Sequence, residues 1–173
     1  MKPFALVTAT LVGLSLAGGV YAAGGGGTKA STKSCKKKGK VYDKKKKKCV
    51  DANRAGNDSI YEAAMGLAYG GKYQDAIDIL KVAGNQDDPR ILNYLGFSHR
   101  KLGKTQEAMV FYTRALELDP NYHLARSYMA QGLVADGDYV GARQQLAELK
   151  DRGAEGSWPY VMLENAIVTG TTY

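Results

Sequence analysis

A stretch of this chain repeats itself at a fixed interval, and that interval limits the fold more than any other feature. Gly103 and Gly137 are 34 residues apart, as are Ala108 and Ala142. An earlier copy, Gly71-Lys72-Tyr73-Gln74-Asp75-Ala76, places its glycine 32 residues before Gly103. A period of 34 fits stacked helix-turn-helix units, each unable to bury its apolar face alone. Such stacks grip other chains, so the period points to binding and away from catalysis.

The opening segment reads as an address. Lys2 gives a positive start, Phe4 to Val20 is apolar and small, and Val20-Tyr21-Ala22-Ala23 offers a small-residue cleavage site. Residues 1–23 are therefore expected to be an export signal, with a membrane anchor as the alternative. Gly24 to Gly27 would follow as a flexible lead. The expected compartment is the periplasm. Export suits the two cysteines, Cys35 and Cys49, for which a disulfide is expected in an oxidising compartment. Two thiolates with no nearby His are too few for a closed zinc site.

Charge divides the rest. Lys29 to Cys49 holds eleven Lys and one Asp, whereas residues 51–173 hold 12 Lys plus Arg against 16 Asp plus Glu. The net charge of +7 thus comes from one short stretch. Dense like charge keeps that stretch solvated, so residues 24–56 are expected to form a flexible Gly/Lys-rich segment with a small Cys35–Cys49 hairpin or loop. Lys36, Lys37, Lys38, Lys44, Lys45, Lys46, Lys47 and Lys48 could touch an anionic lipid or polysaccharide, or merely solvate a spacer. Nucleic acid is set aside, since Arg and interleaved aromatics are missing.

Residues 57–170 suffice for one domain with a core. In the middle unit Leu92, Leu95, His99 and Leu102 recur at helical spacing; Ala108, Tyr112 and Ala115 form a matching stripe, and Pro120 ends the unit. Leu95-Gly96, His99, Ala108, Tyr112 and Pro120 together resemble the tetratricopeptide repeat. Leu92 stands where that family often has Trp, and His99 where it often has Tyr. The run Ala115-Leu116-Glu117-Leu118-Asp119-Pro120-Asn121 matches strongly. The resemblance covers roughly 95 of 173 residues. It implies an all-α array of about three helical hairpins. A capping helix should follow, opened by Ser157 and Pro159, with Tyr160, Leu163 and Ile167 on one face and Trp158 packed at the junction.

No catalytic constellation appears in the sequence. His99 reads as a satisfied core residue and His123 as a helix start. The glycine run lacks the context of a phosphate loop, and no Ser sits in a hydrolase elbow. The chain is expected not to be an enzyme and to need no cofactor or metal. The resemblance instead implies a concave groove lined by the first helix of each hairpin. Its expected lining is Tyr61, Met65 and Tyr69, then Asn93, Phe97, Arg100 and Lys101, then Ser127, Gln131 and Val134. Phe97 stands out, being apolar yet off the packing stripe; alternatively, Phe97 and Tyr61 only fill space between hairpins. A carboxylate clamp of the kind that holds chaperone tails is not expected. At its places stand Tyr61, Met65, Tyr94, Leu124 and Tyr128. The expected function is a scaffold that holds a protein or peptide partner, with self-association or a working Lys-rich loop as rivals.

Overall fold

The computed structural model describes Cys35 and residues 37–173. The expected export signal, the glycine run and Lys36 lie outside the described residues.

Among the described residues, seven α-helices follow a two-stranded hairpin. Strand β1 is Lys40–Asp43 and β2 is Lys48–Asp51; they pair antiparallel, with Val41 opposite Val50 and Tyr42 opposite Cys49. The helices are α1 (Asn57–Tyr69), α2 (Tyr73–Leu80), α3 (Pro89–Lys101), α4 (Thr105–Leu118), α5 (His123–Ala135), α6 (Tyr139–Asp151) and α7 (Trp158–Thr169). They pack as the pairs α1–α2, α3–α4 and α5–α6, with α7 against α5 and α6. The expected all-α array of three hairpins plus a cap is what forms.

The sequence echo has a backbone cause. Gly71, Gly103 and Gly137 each take a left-handed φ, at 75°, 77° and 82°, just past the first helix of a pair. The residue after each glycine donates its N–H back to a carbonyl five residues earlier: Lys72 to Leu67, Lys104 to His99, and Asp138 to Leu133. This is the Schellman arrangement, which satisfies the helix's last carbonyls and favours glycine because a Cβ is disfavoured at positive φ. The first unit is two residues out of phase because its second helix is short. α2 has 8 residues against 14 in α4 and 13 in α6. Gln86 closes it by donating to the carbonyls of Leu80 and Ala83 at 3.1 and 2.7 Å.

Close approach within the middle pair needs Gly96. A Cβ there would lie 2.7 Å from the Tyr112 ring, which is fully buried. Helix α3 departs from the expected single stripe. Every residue from Ile91 to Ser98 is buried, because α2 and α4 flank it while α1 and α5 also touch it. Leu102, assigned to the stripe, is instead 40% exposed at the turn. The start of α3 is pinned by charge. Asp88 accepts from the Arg90 N–H at 2.9 Å, and the Arg90 guanidinium bridges Asp88 and Asp58 at 2.7 and 3.0 Å. Burial pushes the Asp88 carboxyl up, but the Arg90 hydrogen bonds outweigh it and hold its pKa below the ordinary value.

The cap is as expected in outline. Leu163 is fully buried in a cluster with Ala130, Leu149 and Ala154, flanked by Tyr160 and Ile167. Ser157 sits at the N-cap position, yet its side chain makes no capping bond. His99 also differs from expectation. It packs on Phe111 at 5.2 Å, but neither ring nitrogen has a hydrogen-bond partner among the described residues. Burial lowers its pKa.

The Lys-rich stretch was expected to be flexible. From β1 onward it is an ordered hairpin laid against α1. Cys35 and Cys49 are bridged, with Cα atoms 6.0 Å apart. Val41 is 1% exposed, so one apolar side chain anchors the hairpin to the array. Ion pairs surround that anchor: Lys38 with Asp75 at 3.1 Å and Lys44 with Glu62 at 2.6 Å. The mildly acidic array supplies the carboxylates that the lysines need.

Candidate partner-binding face

The first helices α1, α3 and α5 share a face, and tyrosines meet there. Tyr94 on α3 donates its hydroxyl to that of Tyr69 on α1 at 2.8 Å. The Tyr69 hydroxyl lies 3.0 Å from that of Tyr128 on α5. Three hydroxyls from three hairpins thus form one relay. Burial pushes the Tyr94 and Tyr128 phenols well above the ordinary range, and neighbouring Tyr69 reinforces it.

Phe97 lies at the centre of this set. Its ring is 4.9 Å from Tyr128, 5.9 Å from Tyr69 and 6.1 Å from Tyr94. Only 2% of it is exposed. The space-filling alternative is thus half of the answer, since Phe97 joins neighbouring hairpins. Tyr61 does likewise, edge-on to Tyr94 at 5.6 Å with the Arg90 guanidinium over its ring at 5.1 Å.

The reason Phe97 is covered was not foreseen. After α7 the chain turns at Gly170, φ 70°, and lays Tyr173 across the shared face. The Tyr173 ring is parallel to Tyr128 within 10° at 6.3 Å, and meets the edges of Tyr69 and Trp158 at 6.0 and 5.9 Å. Its N–H donates to Gln131 Oε1 at 2.8 Å, and its main-chain oxygen accepts from Arg100 Nη2 at 2.5 Å. Tyr69 and Tyr173 remain 45% and 36% exposed, so the aromatic set opens to solvent along this rim.

The expected groove residues therefore divide. Tyr69, Phe97, Arg100 and Gln131 come together around Tyr173. Met65 is half-buried against the core. Ser127 is corrected: fully buried, it donates to the Pro159 carbonyl at 2.7 Å and ties α5 to the cap. Val134, 3% exposed, packs with Ala142 and Ala166 and belongs to the cap as well. Lys101 stays exposed at the end of α3. Asn93 is fully buried, and neither side-chain polar atom has a partner among the described residues. Sequence reasoning missed Tyr173 and gave Trp158 only a packing role. The signal was a glycine ending the helix, followed three residues later by an aromatic.

The lysines form a second, looser feature. Lys46 pairs with Asp43 at 3.4 Å, so Lys38, Lys44 and Lys46 all have carboxylate partners. Lys37, Lys45, Lys47 and Lys48 are exposed, with no ion pair among the described residues. A cleft beside the hairpin is lined by Lys37, Lys38 and Lys40 but also by Asp51, Asp75 and Asp78. Its charge is mixed, which dilutes any pull on an anion.

Part of this chain is similar to known proteins. Residues 89–122, spanning α3 and α4, match the family model of the tetratricopeptide repeat. The array is tetratricopeptide-like. A stretch of 92 residues is 33% identical to the probable biofilm formation methyltransferase WspC of Pseudomonas aeruginosa. That match covers 52% of this chain and 21% of that protein, so the shared part is about a fifth of the relative's length. It corrects one expectation. The sequence shows no catalytic motif and points away from an enzyme, yet a relative of part of this chain is named as a methyltransferase. Missing motifs therefore do not set catalysis aside.

Proposed function

We propose that this chain is a periplasmic scaffold that holds a protein or peptide partner on the face shared by α1, α3 and α5. A tetratricopeptide-like array supports protein interaction in general. One observation carries the finer reading. Buried Arg100 and Gln131 stand beside an aromatic set that opens to solvent, and together they grip both main-chain groups of Tyr173. Main-chain hydrogen bonds with a side-chain seat between them are how grooves hold extended peptides. The periplasmic part rests on the Lys2-led apolar segment and on the bridged cysteines, since disulfides persist in oxidising compartments.

The test is affinity capture from an envelope extract at low and high salt, with a Phe97→Ala/Arg100→Ala variant of unchanged helicity alongside. A discrete protein held at high salt and lost in the variant is the expected result; equal capture by both forms would sink the assignment. Cell fractionation with N-terminal sequencing tests the location, a cytoplasmic pool beginning at Met1 being the contrary outcome. The rival reading through the lysines is weaker, because three of them already have carboxylate partners on the protein.

A further inference from the structure

The residue that fills the proposed face belongs to the chain itself, and its contacts describe what the face selects. Tyr173 is held in three ways at once. Its ring lies among Tyr69, Phe97, Tyr128 and Trp158. Its N–H and main-chain oxygen are held by Gln131 and Arg100, as given above. Arg100 is itself fixed, with its guanidinium carbon 5.7 Å from the Phe97 ring centre. The three contacts come from α1, α3, α5 and α7, so the seat exists only when the array is assembled.

The hold is nonetheless shallow. Only Thr171 and Thr172 link Tyr173 to the turn at Gly170, and Thr171 is exposed. Tyr173 belongs to none of the buried clusters that make up the core. Removing it from the seat would uncover four aromatic rings and strip partners from Arg100 and Gln131, both nearly or fully buried. Such a site is high in demand for an occupant and low in commitment to the present one. Aromatic rings and guanidinium groups at the centre of a small desolvated patch are also the residue types that dominate binding energy.

We propose that the face recognises an extended peptide through one aromatic side chain, and that Tyr173 occupies that seat as an internal competitor. This rests on the reading of the face as a partner site. A partner's Tyr or Phe takes the place of the Tyr173 ring, while its main-chain N–H and C=O take over Gln131 and Arg100. The chain's own segment thereby lowers the apparent affinity by the fraction of time it leaves the seat empty.

The test uses the full chain, a Tyr173→Ala variant and a fluorescent peptide with the sequence of residues 166–173, amidated at its end. Tyr173→Ala should bind this peptide roughly ten-fold or more tightly than the unaltered chain. A peptide with Phe in place of its Tyr should bind comparably, and one with Ala should not. Adding Arg100→Ala to the Tyr173→Ala chain should abolish binding. Circular dichroism and thermal unfolding establish that the variants fold; nuclear magnetic resonance of the unaltered chain reads Tyr173 directly through its contact with Trp158. Equal peptide affinity for both chains, or indifference to the aromatic residue, overturns the proposal. So does concentration-dependent dimerisation of the unaltered chain that Tyr173→Ala abolishes, which would assign the seat to a second copy's Tyr173. Failure of the competitor alone looks different from failure of the wider binding reading: an envelope partner captured equally by both chains, and lost on Phe97→Ala, would preserve that reading while removing the competitor.

Discussion

Two stretches flank the helical hairpins, and they are fastened by opposite means. The β1–β2 hairpin meets the array through buried Val41, with Val50 packed beside the core, ion pairs around them and a disulfide inside it. The α7 segment and the residues after it meet the other end through Leu163, Ala166 and a set of aromatic rings. A lysine-dense stretch has little apolar surface to bury, so it must be closed covalently and held by charge. An apolar helix can be held by packing alone. Both cover an exposed edge of the array, as stacked repeats require.

The largest way to break this asymmetry is at the apolar end. Leu163→Ala should cost about 2–5 kcal/mol of global stability, read from urea unfolding, because a fully buried leucine leaves a cavity. A loss under about 1 kcal/mol would mean that α7 is not an integral cap. At the other end, Cys35→Ser with Cys49→Ser opens a 15-residue loop, a change of up to about 3 kcal/mol. That loss should stay local. Hydrogen exchange at Val41 and Val50 should accelerate, while amides in α3 and α5 keep their protection; uniform acceleration would show that the hairpin supports the whole array.

Alkali sharpens the contrast next. Burial raises the Tyr94, Tyr112, Tyr122 and Tyr128 phenols above their ordinary value of 10.0. Their protons are thus bound more tightly in the folded chain. The stability this gives is complete below pH 10 and is lost as pH rises beyond it. Urea midpoints should hold up to pH 10 and fall above it, and less so in a Tyr94→Phe chain. His99 acts in the opposite sense and more weakly. Its lowered pKa gives stability present above 6.5 and lost as pH falls below it. The smallest effect is that of salt. Molar sodium chloride screens Lys38–Asp75 and Lys44–Glu62, so it should loosen the hairpin without moving Tyr173. An equal response from both would erase the distinction drawn between them.

The array was legible because its signals are local and repeated. Gly103 and Gly137 mark identical turns, and Gly96 with Tyr112 marks a close helix crossing. Phe97 was legible as an anomaly, an apolar residue off its stripe. What covers it was not, because Tyr173 is 76 positions away and its approach depends on how α7 turns the chain. Ser127 misled for a similar reason: its partner is the Pro159 carbonyl, a main-chain group on another helix. The hairpin was visible as a cysteine pair, but its docking was hidden. That docking needs acidic residues on α1 and α2, which no pattern within the lysine stretch reveals.

The short α2 and the caps on both edges carry a further consequence, a ruler. The hairpin covers the described array at α1, and α7 covers it at α5 and α6. Three first helices about 8–10 Å apart put the outer axes roughly 20 Å from each other. An extended chain advances about 3.3 Å per residue, so the face measures out roughly five or six residues of whatever lies across it. Binding by this protein is thereby a matter of counting as well as of chemistry.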